Sequence, residues 1–328
     1  MKRTIKINFS DFGSYLDPQN NFIINTLRER FDVELSDNPD YLFFSVFGYS
    51  HLKYDCIKIM YTGENIAPDF NVCDYAMAFD YIEFGDRYLR LPLYQNRVSF
   101  PQLKTSKSYS DEELLDRKFC CIVVSNQSFS SPHRERFFRL LSEYKQVDSG
   151  GMLWNNVGGC VPDKIKFVSQ YKFNIAFENS SVQGYTTEKI MEAMVADSLP
   201  IYWGNELVGR DFNPASFVNV HDFPSLEDAV QYVVDLDKDE ARYMEMMRQP
   251  WVLDESVFDW KERMLDFIEN IVRKPKDKQK YLSPFGMQMI YRNEMLSYRT
   301  LADKLRVKKM KTACSILKNR IMRIIPKR

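Results

Sequence analysis

The sequence of 328 residues lacks the features that mark several classes of protein. It contains no run of 18 or more apolar residues, which argues against a membrane-spanning helix. Its opening residues, MKRTIKINFSDF, are too polar for a signal peptide, so we expect the protein to stay in the compartment where it is made. No internal repeats or low-complexity tracts are present, and an apolar content of 45% is ample for folded cores. The length corresponds to about two domains.

Cysteine and histidine are few and scattered. The six cysteines form no C-x-x-C pair, and only three histidines accompany them. This pattern argues against a zinc site and against a disulfide framework, and it favours a reducing cytoplasm. Cys120 and Cys121 lie in an apolar run and are expected to be core residues.

The net charge is zero, but the charges are unevenly distributed. Residues 301–328 hold ten Lys and Arg against one acidic residue, a net charge of +9, which leaves −9 on residues 1–300. From Met310 onward apolar residues recur at helical spacing, with cations on the flanks. Such a basic amphipathic helix is typical of a segment lying on an anionic membrane, where each cation near the lipid contributes about 1 kcal/mol.

We therefore expect residues 304–328 to attach the protein peripherally to the inner face of the plasma membrane. One alternative is a helix docked on the acidic body of the protein. Another is nucleic-acid binding, which is disfavoured because no aromatic residues interleave the cations.

The most informative stretch is residues 172–205. A short apolar run, Phe173–Phe177, precedes a polar loop that contains glycine. A helical pattern then begins near Thr187, and a second apolar run follows at Leu199–Trp203. This order predicts a βαβ unit with two parallel strands and a helix packed across them. Ligands of such units bind at the carboxyl ends of the strands, so a ligand is expected at the loop 178–188.

The start of the predicted helix has the chemistry of a phosphate site. Thr187 is a plausible N-cap, which puts Glu188 and Lys189 in the first turn. Free backbone N–H groups, the helix dipole and the charge of Lys189 all favour an anion there. Glu188 could accept hydrogen bonds from two neighbouring hydroxyls, as on a ribose. For an isolated T-E-K sequence the ordinary alternative is that Glu188 complements the dipole and Lys189 is solvated.

The rest of the chain predicts two α/β domains followed by a tail. The first, residues 1–105, has strand-like runs at Thr4–Phe9, Tyr41–Phe47, Ile57–Tyr61 and Tyr75–Phe79 and a helix at Asn20–Arg30. Residues 101–118 are rich in Ser, Lys, Asp and Glu, as in a linker. The second domain, 106–285, contains the central unit. It is expected to have a strand at Phe119–Val124 and helices at Pro132–Tyr144, from Ser225 and at Trp260–Val272. Residues 286–328 form the predicted tail.

The stretch F-E-N-S-S-V-Q-G-Y-T-T-E-K-I, followed by P-I-Y-W-G, resembles the signature of the α-1,3-fucosyltransferase family, especially its bacterial members. Four further matches occur in order: Y-T-G-E-N with P-D-F at 61–70, D-R-Y-L-R-L-P-L-Y at 86–94, V-V-S-N at 123–126 and F-V-N-V-H-D-F at 217–223. The resemblance implies the GT-B fold, in which two Rossmann-like α/β domains face each other across a cleft. It also implies inverting transfer of L-fucose from GDP-fucose to O3 of GlcNAc in N-acetyllactosamine-type glycans, such as those of a bacterial lipopolysaccharide.

The resemblance assigns the catalytic role to Glu64. In the family, the glutamate of the G-E-N turn is the general base that removes the proton of the acceptor hydroxyl. Composition alone does not select it, because other carboxylates lie nearby in the sequence: Asp69, Asp80, Glu83 and Asp86.

The resemblance also assigns the donor site. The family neutralises the pyrophosphate with an arginine at the start of a helix and with the lysine of T-E-K, here Arg134 and Lys189. An arginine can hold a phosphate with two parallel hydrogen bonds. Arg136 is the alternative, but it would point to a different face of the helix. Asn179, Tyr185 and Glu188 belong to the same site by this resemblance, with Glu188 on the ribose.

No metal or other cofactor is required by this arrangement, because two cations and a helix N-terminus face the diphosphate; a divalent ion could still stimulate the reaction. The D-x-D of Asp235 and Asp237 is expected to be only a solvated helix end. Three alternatives remain for the function: a different nucleotide-sugar, an α-1,4 linkage, or an inactive, membrane-associated relative that binds glycans.

Overall fold

The computed structural model describes residues 2–104, 107, 109–125, 129–301 and 304–305. These residues form two compact units. The first contains Met1–Tyr61, Pro68–Ala76 and the described part of Ile271–Arg328, and the second contains Thr62–Ala67 and Met77–Asn270. The predicted limits at residues 105 and 285 stay predictions. Most of the predicted membrane-binding segment, residues 306–328, lies outside the described residues, and no helix within the described ones is long and apolar enough to cross a membrane.

The chain begins with a six-stranded sheet in the order β2-β1-β3-β4-β5-β6. Its strands are β1 (Arg3–Ser10), β2 (Phe31–Leu35), β3 (Tyr41–Phe44), β4 (Ile57–Tyr61), β5 (Tyr75–Ala78) and β6 (Tyr88–Arg90). The neighbours β1–β2, β1–β3 and β3–β4 are parallel, so the carboxyl ends of these strands share one edge. Helix α1 (Phe22–Arg30) connects β1 to β2. The Asn21 side chain caps this helix by accepting hydrogen bonds from the N–H groups of Ile23 and Ile24.

The second unit contains a five-stranded sheet in the order β11-β10-β9-β7-β8, in which every neighbouring pair is parallel. Its strands are β7 (Lys118–Ile122), β8 (Val147–Ser149), β9 (Tyr171–Phe177), β10 (Leu199–Trp203) and β11 (Val218–Asn219). The helices after α1 are α2 (Asp111–Leu115), α3 (His133–Tyr144), α4 (Lys164–Val168), α5 (Glu188–Val195), α6 (Leu226–Lys238), α7 (Glu240–Arg248), α8 (Trp260–Arg273) and α9 (Lys276–Gln279). The predicted α/β class is confirmed.

The predicted βαβ unit at residues 172–205 is confirmed as β9, α5 and β10. Phe173 pairs with Leu199 and Phe177 with Trp203 in a parallel register. The apolar side of α5 faces inward, with Ile190, Met191 and Met194 buried. The segment 101–118, predicted to be a linker, contains α2. A capping box begins this helix: Ser110 accepts from the N–H of Glu113, and the Glu113 side chain accepts from the N–H of Ser110.

The described cysteines are all free thiols, and Cys120 and Cys121 are buried in β7 as expected. Burial raises the pKa of the Cys121 thiol to about 12, so it is protonated at neutral pH. Neither cysteine is in a position to act as a nucleophile.

The chain returns to the first unit after residue 270, and a buried carboxylate holds it there. Asp74, which is fully buried just before β5, accepts hydrogen bonds from the N–H groups of Tyr281 (2.6 Å) and Leu282 (2.9 Å). Its other oxygen accepts from the N–H of Lys58 in β4 at 2.9 Å. Three N–H donors on one carboxylate explain why an aspartate is tolerated at this buried position.

Replacing Asp74 by alanine should therefore destabilise the first unit. We expect Asp74→Ala to lower the free energy of unfolding by about 3 kcal/mol or more, because three N–H groups lose a charged acceptor. Asp74→Asn should lose less, since one carbonyl oxygen remains. Urea denaturation, with hydrogen exchange at residues 281–282, measures both effects.

The matched control is Asp55→Ala in the same unit. Asp55 is 94% exposed and pairs with Lys280, one residue before Tyr281. An exposed ion pair of this kind contributes about 0–1 kcal/mol. Equal losses in Asp74→Ala and Asp55→Ala would contradict the anchoring role of Asp74.

Candidate active site

A buried carboxylate lies beneath the loop between β9 and α5. Glu178 directly follows β9, and its side chain is fully buried. It accepts hydrogen bonds from the N–H and the hydroxyl of Thr187, at 2.7 Å each, and from the ammonium of Lys189 at 2.9 Å. Thr187 is the N-cap of α5 as predicted, but its hydroxyl bonds to Glu178 and not to the helix backbone. Glu178 thus holds the first turn of α5 in place. It was not predicted from the sequence as a residue of the site.

The first turn of α5 carries a compact set of charges. Lys189 lies 3.6 Å from Glu188, and the Glu188 carboxylate lies 3.4 Å from the guanidinium of Arg97. Burial alone would lower the pKa of Lys189, but Glu178 and Glu188 outweigh it and raise that pKa. Burial would raise the pKa of Glu188, but Lys189, Lys164 and Arg97 lower it to about 2. Both groups are charged at neutral pH.

Arg97 is a further cation beside this turn that sequence reasoning missed. Its side chain is 44% exposed, compared with 21% for Lys189. The signal that could have found it is its position three residues after the D-R-Y-L-R-L-P-L-Y match.

Arg134 and Asn179 contact each other at the carboxyl end of β9. The Arg134 guanidinium is buried and donates to Asn179 Oδ1 at 2.6 Å and to the carbonyl of Phe177 at 3.2 Å. Burial lowers the pKa of Arg134, while the charge of Glu178 opposes that shift. Arg136, the alternative, is 62% exposed and pairs with Glu227 at 2.5 Å, away from β9. The geometry therefore favours Arg134 over Arg136.

Glu64 lies in a turn that contacts the loop after β9. The turn is closed by the buried Thr62, whose hydroxyl accepts from the N–H of Glu64 at 3.0 Å. Asn65 donates to the hydroxyl of Ser180 at 2.7 Å, which ties the G-E-N turn to the F-E-N-S-S stretch. All of these residues belong to the second unit. Glu64 itself is exposed.

Tyr185 is buried next to Gly184 in the loop between β9 and α5. Its ring packs edge-to-face on Phe79 at 5.3 Å. Burial raises the pKa of the Tyr185 hydroxyl, and Glu178, Glu64 and Glu188 raise it further, so the hydroxyl remains a hydrogen-bond donor. Gly184 has φ +84°, and a Cβ there would lie 2.6 Å from the carbonyl of Phe79, so only glycine fits.

Asn205, two residues after β10, holds the loop between β9 and α5 through its side-chain amide. Its side-chain oxygen accepts from the N–H of Gly184 at 2.8 Å, and its NH₂ group donates to Thr186 at 3.0 Å and to Tyr81 at 3.2 Å. Asn205 is fully buried. The signal that could have found Asn205 is its position immediately after the P-I-Y-W-G match.

Tyr81 is itself held by a bidentate ion pair between Arg90 and Asp211. Arg90 in β6 donates to both oxygens of Asp211, at 2.7 and 2.8 Å, and its guanidinium lies 4.1 Å above the Tyr81 ring. Asp211 is buried, and the paired geometry is the strongest that a guanidinium and a carboxylate can form. Arg90 in D-R-Y-L-R thus has a structural partner, and through Tyr81 and Asn205 it is connected to the loop between β9 and α5.

Among the other carboxylates near Glu64, Asp80 is the one with an unusual environment. Burial raises its pKa, although Arg90 opposes the shift, and its Oδ2 is buried with no hydrogen-bond partner among the described residues. Asp69 instead accepts from the hydroxyl of Tyr291. Glu83 and Asp86 are exposed. Asp80 is therefore the carboxylate against which Glu64 has to be tested.

The D-x-D sequence is at the end of α6 as expected, but the expectation that it is solvated is wrong for Asp237, whose side chain is only 2% exposed because it packs against neighbouring donors. Asp237 accepts from the hydroxyl of Tyr144 at 3.0 Å and from Lys145 at 2.5 Å, and Asp235 accepts from Gln231 at 2.8 Å. No group of three or more His, Cys, Asp or Glu side chains that could hold a metal occurs among the described residues. Arg97, Arg134 and Lys189 are described cations that contact the first turn of α5 or the loop before it.

Two family models match the chain. The N-terminal domain of α-(1,3)-fucosyltransferase FucT matches residues 7–96, and the C-terminal domain of glycosyltransferase family 10 (fucosyltransferase) matches residues 115–283. Among curated relatives, α-(1,3)-fucosyltransferase FucT of Helicobacter pylori is 35% identical over 268 residues, covering 70% of this chain. The chain spans only 56% of that relative's length. A bovine 3-galactosyl-N-acetylglucosaminide 4-α-L-fucosyltransferase is 36% identical over 146 residues, covering 44% of this chain and 39% of the relative.

Solved structures of similar proteins indicate the same family. A crystal structure of α1,3-fucosyltransferase with GDP-fucose has a TM-score of 0.72 and 30% identity, covering 84% of this chain and 92% of that one. An α-glucosyltransferase in complex with UDP and DNA, at 10% identity and a TM-score of 0.51, shares the fold alone. The GT-B fold implied by the sequence is confirmed. With both halves matched in order, the chain belongs to the α-(1,3)-fucosyltransferases of glycosyltransferase family 10.

Proposed function

We propose that this protein is an inverting α-1,3-fucosyltransferase that moves L-fucose from GDP-fucose to O3 of GlcNAc in N-acetyllactosamine-type glycans. The observation that carries the proposal is the Asn65–Ser180 hydrogen bond, which joins the turn bearing Glu64 to the loop bearing Asn179, Tyr185 and Glu188. A base and a donor-binding loop are thereby adjacent within one unit. Family membership and the relative solved with GDP-fucose support the choice of donor.

The reaction needs one proton removed and one leaving group stabilised. Glu64 takes the proton of the GlcNAc O3 hydroxyl as that oxygen attacks the anomeric carbon of fucose. The bond from that carbon to the diphosphate oxygen breaks, and its electron pair stays on the departing GDP. The attack from the opposite face inverts the anomeric centre.

Protein cations stabilise the charge on the diphosphate. We assign this role to Arg134, Lys189 and the N-terminus of α5, because cations and free backbone N–H groups stabilise the negative charge that develops on a leaving diphosphate. Lys189 is held by Glu178, so it is positioned before the donor arrives and loses little conformational freedom on binding. Glu188, ionised through its neighbours, is available to accept from ribose hydroxyls.

A second linkage is a specific alternative. The bovine relative is named as a 4-α-L-fucosyltransferase, and an Arabidopsis relative that is 32% identical is an α-(1,4)-fucosyltransferase. Transfer to O4 of GlcNAc would use the same donor site and the same base.

We further propose that the natural acceptor is a surface glycan such as lipopolysaccharide, modified at the cytoplasmic face of a bacterial membrane.

The direct test is a transfer assay in which purified protein receives GDP-fucose and N-acetyllactosamine. We expect fucose on O3 of GlcNAc, identified by mass and linkage analysis. Fucose on O4 of a type 1 acceptor would select the α-1,4 alternative. Absence of product, together with no thermal shift on adding GDP, UDP or CDP, would contradict an enzymatic function and leave a glycan-binding relative.

Replacing Glu64 by glutamine should remove turnover while keeping the donor site. We expect Glu64→Gln to lower kcat by about 10²–10⁴-fold, the usual contribution of a positioned base. Its affinity for GDP, measured by calorimetry, should stay within about twofold of the wild type, because no phosphate contact changes.

Two variants make this test specific. Asp80→Asn removes the carboxylate with the raised pKa, and Glu83→Gln removes an exposed carboxylate from the same region. Both should retain turnover. A loss in Asp80→Asn with activity kept in Glu64→Gln would assign the base to Asp80 instead.

Replacing Arg134 by lysine should weaken donor binding. A lysine keeps the charge but cannot form two parallel hydrogen bonds to a phosphate. We expect GDP to bind Arg134→Lys about tenfold more weakly or worse, since a hydrogen bond to a charged group contributes about 1.5–3 kcal/mol. Arg136→Lys, a change on the same helix, should leave GDP affinity unchanged. The reverse result, with only Arg136→Lys affected, would shift the donor contact to Arg136.

A further inference from the structure

Helix α5 is held at both of its ends, and an unusual residue follows its carboxyl-terminal end. Its first turn, with Glu188 and Lys189, is held by Glu178. After the last turn comes Asp197, which has φ +50° and whose N–H donates to the carbonyl of Met194 at 3.0 Å. A left-handed residue commonly ends a helix in this way, but glycine is the usual one because other side chains strain this conformation. Asp197 therefore needs partners that maintain its position.

Trp251 holds the Asp197 side chain, and Arg117 holds its backbone. The indole N–H of Trp251 donates to the Asp197 carboxylate, and Arg117 donates to the Asp197 carbonyl. Trp251 is 4% exposed. Its own backbone is fixed by Asn213, whose N–H donates to the Trp251 carbonyl at 2.9 Å and whose side chain donates to the Pro250 carbonyl at 2.8 Å. The carboxyl-terminal end of α5 is thus attached to the segment that follows α7.

A lysine ammonium lies over the Trp251 ring. The Nζ of Lys107 is 3.3 Å from the ring centroid, which is a cation–π contact. It also donates to the carbonyls of Met247 and Gln249, at 2.5 Å each. These carbonyls lie at the carboxyl-terminal end of α7, where the helix dipole favours a cation. We call Lys107, the Trp251 ring and these two carbonyls the ammonium cage.

The charge in the ammonium cage changes near neutral pH. Burial lowers the pKa of Lys107 to about 7, although Asp197 opposes the shift. The ammonium therefore predominates below about pH 7, and the neutral amine above it loses the cation–π attraction and donates weaker hydrogen bonds. Burial raises the pKa of Tyr109 to about 12 and also raises the pKa of Asp197. The other charged groups around the cage or lining the cavity beside it are Lys104, Asp111, Arg117, Arg248 and Glu255.

A cavity of about 340 Å³ lies beside the ammonium cage. Lys107, Gln249 and Trp251 contribute to its lining, and its volume is in the range of small-molecule sites. A small ion can therefore reach the cage when the Lys107 side chain is removed. Lys104 lines the same cavity, but its ammonium lies over the ring of Phe258, 4.7 Å from the centroid.

We propose that Lys107 and Trp251 are positioning residues for the donor site, which set the orientation of α5 from its carboxyl-terminal end through Asp197. With eight residues, α5 is about 12 Å long, so a displacement at Asp197 is transmitted to Glu188 and Lys189 at the other end. We assign the cage no contact with the donor. This inference rests on the proposed function, because that function gives Glu188 and Lys189 their roles. It adds a control point at the opposite end of their helix.

Replacing Lys107 by alanine should impair the use of the donor. We expect Lys107→Ala to lower kcat/KM for GDP-fucose by about tenfold, because a misplacement of about 1 Å can cost up to about a hundredfold. The KM for N-acetyllactosamine should stay within about twofold. Lys104→Ala, which removes a lysine from the same cavity, is the matched control and should change neither constant. A normal kcat/KM for GDP-fucose in Lys107→Ala would overturn the positioning role and leave the proposed reaction intact.

Chemical rescue separates a positioning cation from a loss of packing. n-Propylammonium replaces the atoms that Lys107→Ala removes, and it should restore a large part of the lost kcat/KM for GDP-fucose. 1-Propanol has the same carbon chain without the charge and, at equal ionic strength, should restore none. In the double variant Lys107→Ala/Trp251→Leu the cation should also fail, because the ring is absent. Equal rescue by 1-propanol, or no rescue of a Lys107→Ala protein whose circular dichroism is normal, would overturn the cage.

The pH dependence of donor affinity tests the charge of Lys107 without relying on turnover. GDP-fucose is esterified at both ends of its diphosphate, so its own charge is constant between about pH 6 and 8. We expect its affinity for the wild type, measured by calorimetry, to fall as the pH rises through about 7. Lys107→Met should bind weakly at both pH values, because it carries no charge at either. An equal fall in Lys107→Met would overturn the role of this charge, whether or not fucose is transferred.

Discussion

The βαβ unit formed by β9, α5 and β10 depends on one buried carboxylate. Glu178 ends β9 and binds the N–H and hydroxyl of Thr187 and the ammonium of Lys189, so a single side chain joins the strand, the loop and the helix. A buried carboxylate is costly unless donors surround it, and here the donors belong to the first turn of α5. When Glu178 is in place, it therefore positions Lys189, aligns α5 and holds the intervening loop at the same time.

Further contacts hold the loop between β9 and α5 from other parts of the second unit. Gly184 and Thr186 bond to Asn205, Asn205 bonds to Tyr81, and the Arg90–Asp211 pair supports Tyr81. These hydrogen bonds, the ion pair and the contact of Arg90 with the Tyr81 ring form one connected network, an arrangement that favours one conformation of the loop over alternatives.

Much of the fold could be predicted from sequence because its central strands are continuous apolar runs. The strands that sequence reasoning missed are β2, β6, β8 and β11, and all four are sheet edges. An edge strand packs on fewer neighbours, so it can be short and carry charges, as Asp32 and Glu34 show in β2. In the site, the motif residues were predictable from a family signature. Arg97 and Asn205 lie next to matched motifs, but their roles follow from side-chain contacts with Glu188 and with Tyr81, which lie 91 and 124 residues away and which spacing along the sequence does not specify.

The anchoring of residues 281–282 on Asp74 has a consequence for biosynthesis. The two N–H groups that neutralise this carboxylate follow it by 207 and 208 residues. During synthesis on the ribosome the first sheet therefore emerges long before its last hydrogen-bond donors exist. The amino-terminal unit is the first of the two to be translated and, by this contact, the last to be completed, so a nascent chain stalled before residue 281 would leave the Asp74 carboxylate without two of its N–H donors.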